Sequence, residues 1–185
     1  MTRTRSLGLA LIFAALAAVL VPQDAGSATK AELNRDSVRM YNLLLKQNKA
    51  ARLLAGKARA VLVFPDIVKA GFMFGGQIGE GAMLKGGKPS GAYYSSVAAS
   101  YGLQAGVQTF GYALFFMNDG ALAYLDKSDG FEIGVGPSIV VVDEGVAKSM
   151  TSTTVTQDVY AFIFDQKGLM GGLGLQGSKI TKISK

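Results

Sequence analysis

The chain has 185 residues, a formal net charge of +6, 24 glycines and no histidine, cysteine or tryptophan. Such a length suits one domain with a sizeable core, and the sparse charge with abundant glycine argues against a disordered tail. The missing side chains exclude disulfides and thiolate nucleophiles and remove the commonest general base and metal ligand, so no enzyme, metal or other cofactor is expected.

Residues 1–28 read as a secretory signal peptide. Arg3 and Arg5 supply a positive start, Leu7–Val21 an apolar run, and Ala25-Gly26-Ser27-Ala28 a small-residue cleavage zone. The apolar run is shorter than the roughly 20 residues a spanning helix needs. The sequence therefore predicts an exported, periplasmic protein whose single domain covers 29–185, able to sit peripherally on a membrane.

Lys30 to about Leu54 is the most helical segment. At 100° per residue Leu33, Met40, Leu44 and Ala51 fall within about 40° of one another, and Arg35, Arg39, Lys46 and Lys49 gather on the opposite side. Gly56 is a plausible stop, with Arg52 and Lys57 near the negative end of the helix dipole. Charge is uneven along the chain: Lys30–Arg59 carries net +6, Ala60–Ser178 net −4, and Lys179, Lys182 and Lys185 add three cations. A basic amphipathic helix of this kind can lie on an anionic membrane. The alternative is the solvated outer face of a helix packed on a sheet.

From Arg59 to Leu84 the character changes. Ala60–Phe64 is a short, β-branched apolar run that predicts a strand buried on both faces. Pro65-Asp66 predicts a turn. Five glycines between Gly71 and Gly81 make a poor helix and predict a curved strand in which backbones approach closely. Gly86–Gly91 is a turn cluster, and Ala92–Gln108 reads as one or two strands. Tyr112–Met117 is strongly apolar and is broken by Asn118-Asp119-Gly120, after which Ala121–Leu125 is a helical turn or a strand. Asp126–Gly130 is a turn, Phe131–Val142 a strand, Asp143–Thr156 a loop or edge, Val159–Phe164 a strand, and Leu169–Leu175 a glycine-rich close. The predicted fold is α+β: one or two N-terminal helices packed on a curved, glycine-rich antiparallel sheet or barrel of about seven or eight strands.

Four motifs in this region resemble the SYLF domain family, a lipid-binding module. Ala60–Pro65 with Lys69-Ala70-Gly71-Phe72 and Gly75, Gly76, Gly79 and Gly81 match its opening, and Tyr101–Gln108 its Gly-x-Gln-x-Gly element. Gly134-x-Gly136-Pro137 matches its Gly-Pro turn, and Val159-Tyr160 leading to Lys167–Gly177 its closing element. Together they cover roughly Ala55–Gly177. Two departures stand out: Gly91-Ala92-Tyr93-Tyr94 replaces a tryptophan-containing turn, and Gln176 replaces a glutamate. The resemblance implies a lipid-binding, non-catalytic module; eukaryotic members bind phosphoinositides and some yeast members actin.

Other patterns carry less. Gly172-x-Gly174-x-x-Gly177 spells a dinucleotide fingerprint, but too few residues follow it for the helix such a loop must open. Asp126–Glu132 has a calcium-loop flavour with its glycine one place early and Pro137 where a glutamate belongs. Asp143 and Glu144, if in a strand, point to opposite faces. No nucleophile–base pair stands out. The expected partners are therefore anionic, phosphoinositide-like membrane lipids held by Arg35, Arg39, Lys46 and Lys49, with Lys57, Arg59 and Lys69 as weaker additions; of these only Lys69 sits in a family motif. The alternatives are a structural or assembly protein of the envelope with a protein partner, or a small membrane-spanning barrel, which the basic helix and Lys-rich tail oppose. No nucleic-acid partner is expected.

Overall fold

The computed structural model describes residues 27–127, 131–132, 136–151, 154–169 and 178–185. The signal segment and most of the closing glycine motif lie outside the described residues, as does Gly134 of the Gly-Pro turn.

Helix α1 (Lys30–Gln47) starts on a capping box. The Glu32 backbone N–H donates to the Thr29 hydroxyl at 3.3 Å, and the Thr29 N–H donates to the Glu32 carboxylate at 2.9 Å. The Thr29 hydroxyl also donates to the Glu32 carboxylate at 2.7 Å, and that bond, with the one from the Thr29 N–H, holds the carboxyl below the usual range. The most helical segment, expected to give one or two helices, is divided at Asn48, whose N–H closes on Leu44 while its side chain accepts from Ala51 N–H at 3.1 Å. One residue thus ends α1 and caps α2 (Lys49–Ala55).

The chain then forms two very long antiparallel strands, β1 (Ala60–Lys85) and β2 (Lys88–Phe116), in register from Ala60 opposite Phe116 to Lys85 opposite Lys88. Gly86 and Gly87, at φ of 56° and 76°, make the two-residue connection that fits the twist of a hairpin. The Pro65-Asp66 turn expected from sequence is a register shift inside β1, between Phe64 and Ile67. Pro65 lacks the N–H a ladder needs, and a bulge accommodates that without ending the strand.

After α3 (Asp119–Lys127) come β3 (Phe131–Glu132), β4 (Ile139–Val141), α4 (Glu144–Ser149), β5 (Val159–Gly168) and β6 (Lys179–Ile183). Ala121–Leu125 thus resolves as helix, and the stretch expected to be loop contains α4. Strand β2 is central: β1 runs along one side, while β6 pairs with its first half and β5 with its second. Among the described residues six strands form this sheet, in which β4 lies parallel to β5 and the other pairs are antiparallel. Strands β1, β2 and β5 are longer than the sequence reading drew them, whereas Phe131–Val142, expected as one strand, gives only the short β3 and β4 among the described residues. The whole is α+β, a curled half-barrel with α1 and α2 packed on its outer face and α3 against its inner core.

Curling buries both faces. Leu62, Phe64, Ile67, Phe110, Tyr112 and Leu114 fill the inside, closed by Ala121 and Leu125 of α3. Val61, Val63, Ala113, Phe115, Tyr160 and Phe162 point outward under Met40, Tyr41, Leu44 and Leu54 of α1 and α2. The alternation along Ala60–Phe64 is thus split between two cores, as a strand buried on both faces requires. Rings meet in both: Phe64 stacks on Tyr112 at 5.9 Å inside, and Phe115 meets Phe162 edge-on at 5.2 Å outside.

The curl depends on glycine at two places. A Cβ on Gly79 would lie 2.7 Å from the Asp66 carbonyl oxygen, and one on Gly81 would lie 2.6 Å from that of Val63. The second half of β1 rests directly on the first. Gly81→Ala should therefore cost about 1–3 kcal/mol through overpacking, whereas Gly76→Ala, whose nearest neighbour would be 3.5 Å away, should change stability by less than about 0.5 kcal/mol. Urea unfolding of both variants decides this; equal stabilities would contradict the close approach.

Inside, burial pushes the phenols of Tyr94 and Tyr112 well above their usual range, with Asp126 adding to the effect at Tyr94. A raised folded-state pKa gives stability that is complete below the unfolded value, about 10, and is lost as pH rises through the folded one. The Tyr112 hydroxyl is buried with no hydrogen-bond partner among the described residues. Tyr112→Phe should leave stability at neutral pH unchanged or raise it by about 1 kcal/mol, and should flatten its decline above about pH 10. Urea midpoints across that range test this; a steeper alkaline decline in the variant would overturn it.

Candidate functional site

The outer face of α1 carries the cations expected from the helical wheel. Arg35, Arg39 and Lys46 are exposed on α1, and Lys49 is exposed at the start of α2, past the break at Asn48. Their charge is not equally available. Asp36 takes the Arg35 guanidinium at 3.1 Å and lies 3.6 Å from Arg39. The Arg35 hydrogen bond holds the Asp36 carboxyl below the usual range, and Asp36 in turn raises Arg35. Lys46 and Lys49 have no carboxylate within ion-pair distance among the described residues. The uncompensated positive charge is therefore at the α1–α2 junction rather than along the whole stripe.

The other cations take different parts. Arg52 turns back to donate to the carbonyls of Leu45 and Lys46, the latter at 3.1 Å, and so satisfies the end of α1. Lys57 is exposed just beyond α2. Arg59 is exposed and lies 3.7 Å from Asp119, at the start of α3. Lys69 differs from all of these: it is 1% exposed and sits in β1 opposite Gln108, on the inward face with Ile67 and Phe110. From there it does not reach a membrane surface, so the expectation placing it beside the others is corrected. The alternation of β1 decides this: Lys69 shares a face with Ile67, while the exposed positions are Val68 and Ala70.

The structure adds a hollow the sequence did not show. Between the start of α2 and α4 lies a groove of about 480 Å³ lined by Lys49, Ala50 and Leu53 on one side and Ala147, Lys148 and Met150 on the other. A second hollow, of about 580 Å³, shares Asn48 and Ala147 and is lined by Asp143 and Asp165. A third, of about 180 Å³, shares Met150 and reaches Tyr160. Lys148 was missed because its charge falls in the acidic middle of the chain and only the α2–α4 contact brings it beside Lys49. Helix α4 stands among these hollows, started by Asp143, whose side chain accepts from Val146 N–H at 2.8 Å.

Elsewhere the acidic groups are structural. Asp158 accepts from Ser138 N–H and hydroxyl, each at 2.9 Å, and from the Asn118 amide at 2.7 Å, which together hold its carboxyl below the usual range. Asp126 accepts from Lys182 at 2.9 Å and Tyr94 at 3.0 Å and is lowered likewise, so the one carboxylate of the calcium-like stretch that the structure shows in contact is engaged by a cation and a phenol. Among the described residues no group of carboxylates is arranged to hold a metal ion, and no helix is long and apolar enough to cross a membrane.

The cations and groove suit non-covalent binding of an anion. No curated protein matches the chain. Residues 97–185, from within β2 to Lys185, match a protein family described as Ysc84, Las17-binding protein actin regulator. It is a family of binding domains associated with lipids and actin regulation, and its domain is the SYLF domain. Those residues, a little under half of the chain, hold the rest of β2 and the described strands laid against it after the hairpin, and through them the chain is similar to the SYLF domain family.

Proposed function

We propose that this protein is a non-enzymatic lipid-binding module, exported to the periplasm, that contacts anionic, phosphoinositide-like membrane lipids through the outer face of α1 and the start of α2. One observation carries the reading: Arg35, Arg39, Lys46 and Lys49 are all exposed, and the last two have no carboxylate within ion-pair distance among the described residues. The family match over residues 97–185 supports the class of partner. Export is supported by Arg3, Arg5 and the apolar run Leu7–Val21. A cation near an anionic surface contributes about 1 kcal/mol, so four together give useful binding that salt screens over about 8 Å near physiological ionic strength.

A second reading, an assembly protein of the envelope, draws on a different observation. Ile78 and Val97 are cross-strand partners and are 58% and 49% exposed, and Val107 beside Ala70 is 53% exposed. Helices leave these outward rows of the hairpin uncovered, and exposed apolar surface of this kind suits a protein partner.

Co-sedimentation with anionic and zwitterionic vesicles separates the two. The parent should pellet only with anionic vesicles and be released by salt. Reversal of Arg35, Arg39, Lys46 and Lys49 to glutamate should weaken binding about fivefold or more per residue, while Asp36→Asn, which frees two arginines, should strengthen it. Failure of the parent to bind anionic vesicles, or undiminished binding by the fourfold variant, would overturn the lipid reading.

A further inference from the structure

We propose that the groove between α2 and α4 is the seat of one anionic amphiphile, with Lys49 and Lys148 at its charged head and Leu53 and Met150 along its chain. This rests on the lipid-binding reading and goes further, from a face that touches a membrane to a hollow that holds a single lipid molecule.

Size, charge and lining agree. At about 480 Å³ the hollow falls within the range of about 300–1,000 Å³ common for small-ligand sites. It brings together a lysine from each of two elements far apart in sequence, and both lysines are solvent-exposed. Beside Gln47 and Asn48 its remaining lining is apolar, with Leu53 half-buried and Met150 half-buried against the outer core. A free inorganic anion would use the lysines but not the apolar floor; a neutral hydrocarbon would use the floor but not the lysines. An acyl chain with an anionic head uses both. Direction is set as well, because the Asp143 carboxylate lines the adjoining hollow beyond Ala147 and disfavours an anion at that end. Lys49 belongs to the exposed basic face, so a head group drawn to that face already lies at the mouth of the groove.

The test uses the full chain and dihexanoyl-phosphatidylglycerol kept below its micelle-forming concentration, followed by calorimetry, beside sedimentation with phosphatidylglycerol vesicles. The parent should bind the monomeric lipid. The double variant K49E/K148E should bind it about tenfold more weakly, and Ala147→Phe, which fills the hollow without changing charge, should do the same. Lys88→Glu, at the far hairpin turn, controls for net charge. Thermal melts check folding, and K49Q/K148Q replaces the reversal if that variant unfolds. Monomer binding untouched by both K49E/K148E and Ala147→Phe would overturn the proposal, as would inorganic phosphate binding as tightly as the lipid. If the parent pellets with vesicles but ignores monomeric lipid, the groove alone fails; if it ignores anionic vesicles too, the lipid-binding reading fails with it.

Discussion

The structure depends on one contact, the approach of the second half of β1 onto its own first half. Gly79 and Gly81 let backbone meet backbone where any side chain would collide with the carbonyls of Asp66 and Val63. Without that approach the hairpin would extend as a long twisted ribbon, and a two-stranded ribbon is marginal in water. With it, a sheet of modest width encloses an inner core and presents a second apolar face to the helices.

Everything on the outside follows from where that second face lies. Residues Val61, Val63, Phe115 and Phe162 fix the line along which α1 and α2 must rest, and the same helices, being amphipathic, must then turn Arg35, Arg39, Lys46 and Lys49 away from the sheet. Helix α4 covers another part of that face with only six residues, half-buried at Val146 and Ala147, so the fit around it is loose and leaves hollows. Binding surface and core are two outcomes of one pattern.

Much of this was legible in the sequence. The two-faced burial of Ala60–Phe64, the curving role of the glycines and the polarity of α1 all depend on local periodicity, which sequence records directly. What escaped depended on distance or on context. Asn48 stops a helix because its side chain reaches Ala51, and nothing in the hydrophobic period marks that. Pro65 looked like an end and is a bulge, because the partner strand continues past it. Lys69 looked like a surface cation and is buried, since a single register decides which face it takes. Asp36 weakens two members of the basic stripe through contacts between neighbours on the helix. Lys148 joins Lys49 only through tertiary contact, and no count along the chain could have paired them.

The Ser37 hydroxyl, fully buried, donates to the Val63 carbonyl at 3.2 Å, and Gly81 lies against the same oxygen. Among the described residues strand β1 has a neighbour on one side only; its other margin is a row of backbone groups that could template an intruding strand from another molecule. The first part of that row is occupied by a helix side chain and by the strand's own return. Glycine, usually counted a weakness in a strand, here serves colloidal safety: it allows the chain to cover its most vulnerable margin with itself, where longer side chains would have held that margin open to aggregation.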